Sequence, residues 1–383
     1  MSRSQIPPSV NRADISLPAF RRNLARIRAR VAPDAGMLLV VKSDAYGHGM
    51  LRMAREAARE KGVVYFGVAS PEEAVALRGS GIRKPILLLT PPHPRWIRGL
   101  VQADISISVS SLEEAARISK AAVQQRRRVK IHAEVDTGMG RLGTDPSKAL
   151  QLFFSLHKLK SLELEGAYTH FPCADEHSPA ICEGQIAVFG MAVELFRDMH
   201  PGALRYAHTA NSAALFRLKQ SHFNLVRPGL SAYGVDPMCG IDRSPRSIPD
   251  LEPVMSLKTK IAFLKEVPAG TCISYRSTYK TRARSVIATL PIGYSSGYSL
   301  RLSNQSKVLI RGRFFPVAGR VTMDQIMVDL GSWKGARLWE DVVLIGKSGQ
   351  RRISAEELAR LSGTIPYETL CGIHPKVPRI YSS

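Results

Sequence analysis

The chain has 383 residues, a formal net charge of +22 and a hydrophobic content of 44%. It is long enough for two domains with sizeable cores and too apolar for intrinsic disorder. No window of about 20 apolar residues occurs, and no apolar core for a signal peptide follows the N-terminus, which excludes a helical membrane protein and leads us to expect a cytoplasmic one.

After a loose start, residues 16–31 read as an amphipathic helix with Leu17, Phe20, Leu24 and Ile27 on one face. Arg21, Arg22, Arg26, Arg28 and Arg30 fall between them as its wet face. No zinc-finger, basic-zipper or RNA-binding signature accompanies the basic excess, so we read it as surface bias and expect no nucleic-acid partner. Strand candidates follow at 37–42, 65–69, 86–90, 105–109, 129–135, 164–169, 204–208 and 224–230. Helical patterns lie between them at 49–61, 71–79, 111–125, 146–159 and 183–199. Eight strands separated by helices or short connections over about 240 residues are the count and length of a (β/α)8 TIM barrel. A doubly wound sheet is the alternative, but no G-x-G-x-x-G follows the first strand.

Past Gly240, residues 241–253 have a linker composition with Arg243, Ser244, Pro245, Ser247 and Pro249. Short β-type runs follow at 255–267, 285–290, 307–310, 314–317, 327–330 and 342–345, with helical character only near 354–361. The expected organisation is an α/β barrel over residues 1–243 followed by a mostly-β domain over 244–383. Cys173, Cys182, Cys239, Cys272 and Cys371 form an odd set without C-x-x-C spacing. We therefore expect reduced thiols, no disulfide framework and no metal site.

Functional groups of barrels stand at the C-terminal ends of the strands and in the loops after them. Here the apolar run 37–41 ends in Lys42 and passes into a turn-like segment with Tyr46, Gly47, His48 and Gly49. A partly desolvated lysine at that position can form an imine with an aldehyde. The fifth strand runs through Glu134 into Asp136-Thr-Gly-Met-Gly-Arg141, and the sixth ends in Thr169-His170-Phe171. The seventh leads to His208-Thr-Ala-Asn211-Ser212, and the eighth to Arg227-Pro-Gly229-Leu230. Taken singly, each has a plain structural reading: His170 as a satisfied histidine, Asn211-Ser212 as a helix cap, Arg227 as a solvated turn. Together with an imine-forming lysine, they suit an aldehyde cofactor that carries a phosphate, pyridoxal 5'-phosphate.

From about Ala13 to Arg379 the chain resembles the alanine racemase family, on these motifs together with Ser274-Tyr275, Pro291-Ile-Gly-Tyr294 and Met323-Asp324-Gln325. The resemblance implies a homodimer with shared active sites that interconverts L- and D-alanine and supplies D-alanine for peptidoglycan. It implies that Lys42 holds pyridoxal phosphate and serves as one base, with Tyr275 of the partner subunit as the base on the opposite face; two opposed bases are what inversion at Cα requires. By the same matching, Tyr46, Asn211, Ser212, Gly229 and Leu230 hold the phosphate. Arg227 is the partner of the pyridine nitrogen, with His170 and His208 in its hydrogen-bond network. Arg141 and the Met323 backbone N–H bind the substrate carboxylate.

Three departures from the family pattern stand out. Glu134 occupies the position where many members carry a carbamylated lysine, so a native carboxylate is expected to orient Arg141. Pro375 replaces a tyrosine that reaches the phosphate in many members. The entrance segment reads Gly293-Tyr-Ser-Ser296-Gly-Tyr-Ser-Leu300, losing an acid and shifting its arginine to Arg301, while Asp175 and Arg320 still match the outer entrance. The alternative these changes open is a serine or broad-specificity amino-acid racemase of the same fold.

Overall fold

The computed structural model describes residues 9–176, 178–238 and 250–383. Cys239, most of the expected linker and the expected domain boundary at 243/244 lie outside the described residues. The chain forms two compact units, residues 9–20 with Glu252–Ser383, and Arg21–Leu251.

The first strand, β1 (Arg12–Ser16), belongs to the β-rich unit and not to the barrel expected to begin at residue 1. Its pentapeptide, RADIS, turns only Ala13 and Ile15 inward. Two buried side chains in a period-2 pattern are too short a signal to read without their sheet partners.

Eight parallel strands make the barrel: β2 (Gly36–Val40), β3 (Val63–Val68), β4 (Ile86–Leu88), β5 (Ser106–Val109), β6 (Val129–Glu134), β7 (Leu162–Tyr168), β8 (Tyr206–His208) and β9 (Leu225–Val226). The ladder runs continuously from β9 through β2 to β8. The seam between β8 and β9 is joined by Arg227 N donating to Ala210 O at 2.9 Å and Ala207 N to Asn224 Oδ1 at 2.8 Å. All eight expected strands are present; six are shorter than the runs expected for them, while β3 and β7 each begin two residues earlier and are one residue longer. Leu38, Leu39, Phe66 and Val68 are fully buried, as strands covered on both faces require.

The crossover helices start where their caps dictate. Ser70 and Glu73 form a reciprocal capping box before Pro71–Gly79, and Ser111 accepts from Glu114 N before Leu112–Gln124. Pro146 opens the helix Pro146–His157 behind an Asp145 cap. The helix Pro94–Gln102 was not anticipated, because its Pro and Gly content masks a short amphipathic pattern.

The second unit continues with β10 (Met255–Lys260), β11 (Phe263–Val267), β12 (Cys272–Ile273), β13 (Tyr279–Lys280), β14 (Ser285–Leu290), β15 (Lys307–Ile310), β16 (Arg313–Pro316), β17 (Ile326–Asp329), β18 (Asp341–Ser348), β19 (Arg351–Ile353) and β20 (Arg379–Ser382). Its main sheet has the order β16-β15-β18-β10-β1-β20, with β19 paired to β18. There β1 runs antiparallel to β10 and parallel to β20, so the two ends of the described chain share one sheet. A three-stranded sheet, β11-β14-β17, and the hairpin β12-β13 complete the unit. Cys173 and Cys182 are buried, Cys272 and Cys371 are exposed, and none of these four forms a disulfide.

Candidate active site

Lys42 follows the end of β2 and opens a short turn, Lys42–Gly47, whose hand is unusual. Ser43, Asp44, Ala45 and Tyr46 all have φ between 53° and 54°, one turn of left-handed helix made from residues with side chains. Each such residue costs roughly 1–2 kcal/mol, so the surroundings must hold the turn. They do so with Ser43 N donating to Glu73 Oε1 at 2.6 Å, Met50 N to Asp44 Oδ1 at 2.7 Å and Gly49 N to Asp44 O at 2.9 Å. His48 Nδ1 lies 2.9 Å from both Ala45 O and Tyr46 O, which makes it the protonated nitrogen. Strain over-determined in this way fixes Lys42, half-buried, and Tyr46, buried, at either end of one turn.

Tyr46 sits directly on Gly229. A Cβ at Gly229 would stand 2.5 Å from Tyr46 Oη, so only glycine admits the hydroxyl there. Beside it, Ser212 Oγ accepts from Gly229 N at 2.9 Å, with Ser231 Oγ 3.2 Å away. Asn211 caps the next helix, Ser212–Arg217, its side chain accepting from Ala213 N and Ala214 N. Leu230, next to Gly229, is buried. Tyr46, Asn211, Ser212, Gly229 and Leu230, scattered over three loops, thus converge.

Arg227 is not a solvated turn: it is 4% exposed. Its Nη1 donates to His208 Nδ1 at 2.8 Å and His208 O at 2.7 Å. Its Nη2 donates to Thr169 O at 2.7 Å, Thr209 O at 2.9 Å and His170 Nδ1 at 3.3 Å. Among the described residues none accepts from Nε, and Nε is not one of the sealed, unpaired polar atoms, so that edge of the guanidinium is open to a ligand. Tyr168 packs against both partners, its ring stacked on His208 at 4.8 Å and lying 5.3 Å from the guanidinium carbon. Burial lowers the arginine to about 10, still charged at neutral pH. Burial, then the charges of Arg227, Arg141 and Lys42, push His170 down to about 3, so its imidazole is neutral and those three cations share its neighbourhood. His208 is likewise pushed well down, by burial and by Arg227.

The loop carrying Arg141 is shaped by Asp136, whose Oδ1 accepts from Gly138 N, Met139 N and Gly140 N at 2.8–3.0 Å. Gly143 is required there, since its Cβ would lie 2.5 Å from Asp136 N. Arg141 itself is exposed. Glu134 departs from the expectation that it would orient Arg141 directly. Among the described residues no ion pair within 4.0 Å joins them, and Glu134 Oε2 instead accepts from Tyr168 Oη at 2.8 Å. Burial raises its carboxyl pKa, and Arg227 and Arg141 oppose that only through their fields.

Tyr275 and Met323 belong to the β-rich unit, where they are 70% and 55% exposed. Ser274, Arg276 and Ser277 around Tyr275 have φ of 66°, 61° and 49°, and Ser274 Oγ donates to Arg320 O at 2.7 Å. In the same unit, Gly293 lies so close to Thr322 O and Met323 O that no Cβ would fit. Tyr294 N and Ser295 N donate to those two carbonyls, tying the altered entrance segment to Met323.

Sequence reasoning passed over Tyr168 and His132, both buried in the barrel interior. The signal was present as polar residues at i, i+2 and i+4 of one strand, Lys130, His132 and Glu134, a spacing that puts them on one face.

An amine at the first strand end, a buried cation among neutral imidazoles and a donor-lined cradle define a barrel enzyme for a small anionic ligand. Profiles of two families match, "Alanine racemase, N-terminal domain" over residues 15–237 and "Alanine racemase, C-terminal domain" over 254–381. An alanine racemase of Geobacter sulfurreducens is 41% identical over 374 residues, 96% of each chain. The solved alanine racemase of Clostridium difficile 630 superposes with a TM-score of 0.92 at 35% identity, covering 98% of this chain and 97% of that one. That of Bartonella henselae, described with covalently bound pyridoxal phosphate, superposes with a TM-score of 0.86 at 27% identity over 98% of this chain and all of its own. The chain belongs to the alanine racemase family and so to the isomerases. Among the described residues no helix is long and apolar enough to cross a membrane.

Proposed function

We propose that this protein interconverts L- and D-alanine, using pyridoxal 5'-phosphate, as a cytoplasmic homodimer that supplies D-alanine for peptidoglycan. The observation that carries the reading is the buried Arg227, fully bonded at Nη1 and Nη2 and open at Nε, at the same strand ends as Lys42. The residues present fit the cofactor at both ends. Tyr46 Oη, Ser212 Oγ and the amides near Gly229 suit its phosphate, and Arg227 Nε suits its ring nitrogen. Lys42 supplies the amine for its aldehyde.

Bound there, the cofactor would accept electron density from the substrate Cα and so acidify its C–H bond. Lys42 takes the proton from one face of Cα, and Tyr275 of the partner subunit returns one to the other; the reverse reaction exchanges the roles. Lys42 then gives up its proton and Tyr275 regains one by exchange with solvent, so no net proton is consumed over the cycle. The 70% exposure of Tyr275 supports a residue offered to a second subunit. Arg141 and the Met323 N–H orient the substrate carboxylate. Arg227 keeps a fixed positive charge where a proton on the ring would otherwise sit, which limits electron withdrawal and restrains transamination. Glu134 supplies its charge without carbamylation, acting on Arg141 through space.

Chiral chromatography after incubation with L-alanine and, separately, L-serine tests the reading. D-alanine forming at least tenfold faster than D-serine supports it. The reverse preference, which the altered segment with buried Ser296 and exposed Leu300 keeps in play, would assign serine or a broader set instead. In addition, Gly229→Ala should drive Tyr46 Oη from its seat and loosen cofactor retention by roughly tenfold, about 1.4 kcal/mol. Equilibrium dialysis followed by visible absorbance reads this directly, and unchanged retention would remove Tyr46 and Gly229 from the phosphate site.

A further inference from the structure

The barrel interior holds a second layer of polar groups that the proposed chemistry does not use. Behind Arg227, His208 Nε2 lies 2.9 Å from His132 Nδ1, and both rings are fully buried. His132 Nε2 lies 3.5 Å from Glu165 Oε2, an electrostatic contact and not a hydrogen bond, and among the described residues it has no hydrogen-bond partner. Glu165 closes the line: its Oε1 takes Lys130 Nζ at 2.7 Å and its Oε2 takes Tyr65 Oη at 2.7 Å. Tyr65 Oη in turn lies 2.6 Å from Ser106 Oγ.

Every proton in this line follows from its ends. A guanidinium can only donate, so His208 must present a lone pair at Nδ1 and carry its proton on Nε2. That proton points at His132 Nδ1, which must then be the acceptor, leaving the His132 proton on Nε2, facing the Glu165 carboxylate. A carboxylate at the far end and a guanidinium at the near end agree on one direction, and the opposite direction would set two donors face to face at Arg227. The surroundings support this reading. Glu165 is held down to about 2, its burial outweighed by the nearby His132 and by its bonds to Lys130 and Tyr65. Burial keeps both histidines below their usual range, and so neutral. Gly166 leaves room for the His132 ring, because a Cβ there would meet Nδ1 at 2.5 Å.

We propose that His132 and Glu165 are positioning residues for Arg227: His132, backed by Glu165, accepts the His208 Nε2–H, anchors the ring of the tautomer that Arg227 selects with its Nδ1 lone pair on the guanidinium, and thereby holds Arg227 Nε toward the ligand. Their role rests on the reading of Arg227 given above, but the arrangement of protons does not depend on it.

The test uses the holoenzyme with 15N-labelled histidine and two variants. In the wild type, imidazole 15N–1H spectra at neutral pH show His208 and His132 each protonated at Nε2 only. His132→Leu removes the acceptor. Its His208 Nε2–H, left without an acceptor, should lose its downfield 1H shift while Nδ1 stays unprotonated, kcat should fall by about tenfold or more with little change in KM, and transamination should take a larger share of turnovers. This is well short of the ~10⁴ seen where a catalytic histidine is left in the wrong tautomer. His132→Asn puts Oδ1 where Nδ1 stood, and should restore both the His208 resonances and most of the kcat. If His132→Leu fails to fold, the wild-type spectrum and the asparagine variant still decide. His208 protonated at Nδ1 in the wild type, or wild-type kinetics and spectra in His132→Leu, would overturn the proposal. Correct tautomers in a protein without racemase activity would instead count against the functional reading.

Discussion

Lys42→Ala and Tyr275→Phe, each nearly inactive alone, should regain about a quarter of wild-type racemase activity when co-expressed. The proposed site takes Lys42 from one subunit and Tyr275 from its partner. In a mixed dimer one site then carries both substitutions and the other carries neither. Random pairing makes about half of the dimers mixed, and each has one intact site of two. Loss of a general acid or base costs about 10²–10⁴ in rate, so the regained activity stands far above the background of either variant. Differential tags on the two chains allow the mixed dimer to be isolated, where the expected activity is about half that of the wild type. An isolated mixed dimer no more active than its parents would place Lys42 and Tyr275 in the same chain's site, or remove Tyr275 from the reaction.

The second large effect is expected at Arg227. Arg227→Ala withdraws the donors from His208 Nδ1, His170 Nδ1 and the carbonyls of His208, Thr169 and Thr209 in one step. Buried acceptors left without donors cost about 1–3 kcal/mol each, and breaking a buried charged network costs about 3–5 kcal/mol in total. For a unit of this size, that lowers the melting temperature by on the order of 10 °C. Arg227→Lys keeps a cation but loses the planar fork that serves five acceptors, so it should recover only part of this. A melting temperature unchanged in Arg227→Ala would mean that the network contributes nothing to the fold. Unchanged partition between racemisation and transamination in Arg227→Lys would mean that the geometry of the guanidinium does not govern the cofactor.

The barrel was legible because parallel strands buried on both faces leave uninterrupted apolar runs, such as Met37 to Val41, and because capping residues such as Ser70 and Ser111 mark the helix starts. The site was legible as a set of residue types at strand ends, since that is where a barrel places its loops. What escaped was long-range. The first strand has two inward residues and exists only because β10 and β20 flank it, some 240 and 365 residues away by the pairings Ile15 to Met255 and Ala13 to Arg379. The left-handed turn after Lys42 was visible as a turn, but four consecutive positive φ values over Ser-Asp-Ala-Tyr contradict local preference and are imposed by Glu73, Met50 and His48. Glu134 was visible as a carboxylate near Arg141, while its actual partner, Tyr168, stands directly beside it on the neighbouring strand, 34 residues on in the chain.

The central claim is that Lys42 drives proton exchange at the alanine Cα. Its most direct test is the proton NMR of L-alanine in D2O with the purified protein and pyridoxal phosphate, beside a Lys42→Ala control. The account predicts loss of the Cα proton signal with D-alanine accumulating, and neither change in the control. A Cα signal that persists with the wild-type protein while its visible absorbance shows the cofactor bound would contradict it, and so would equal exchange in the control.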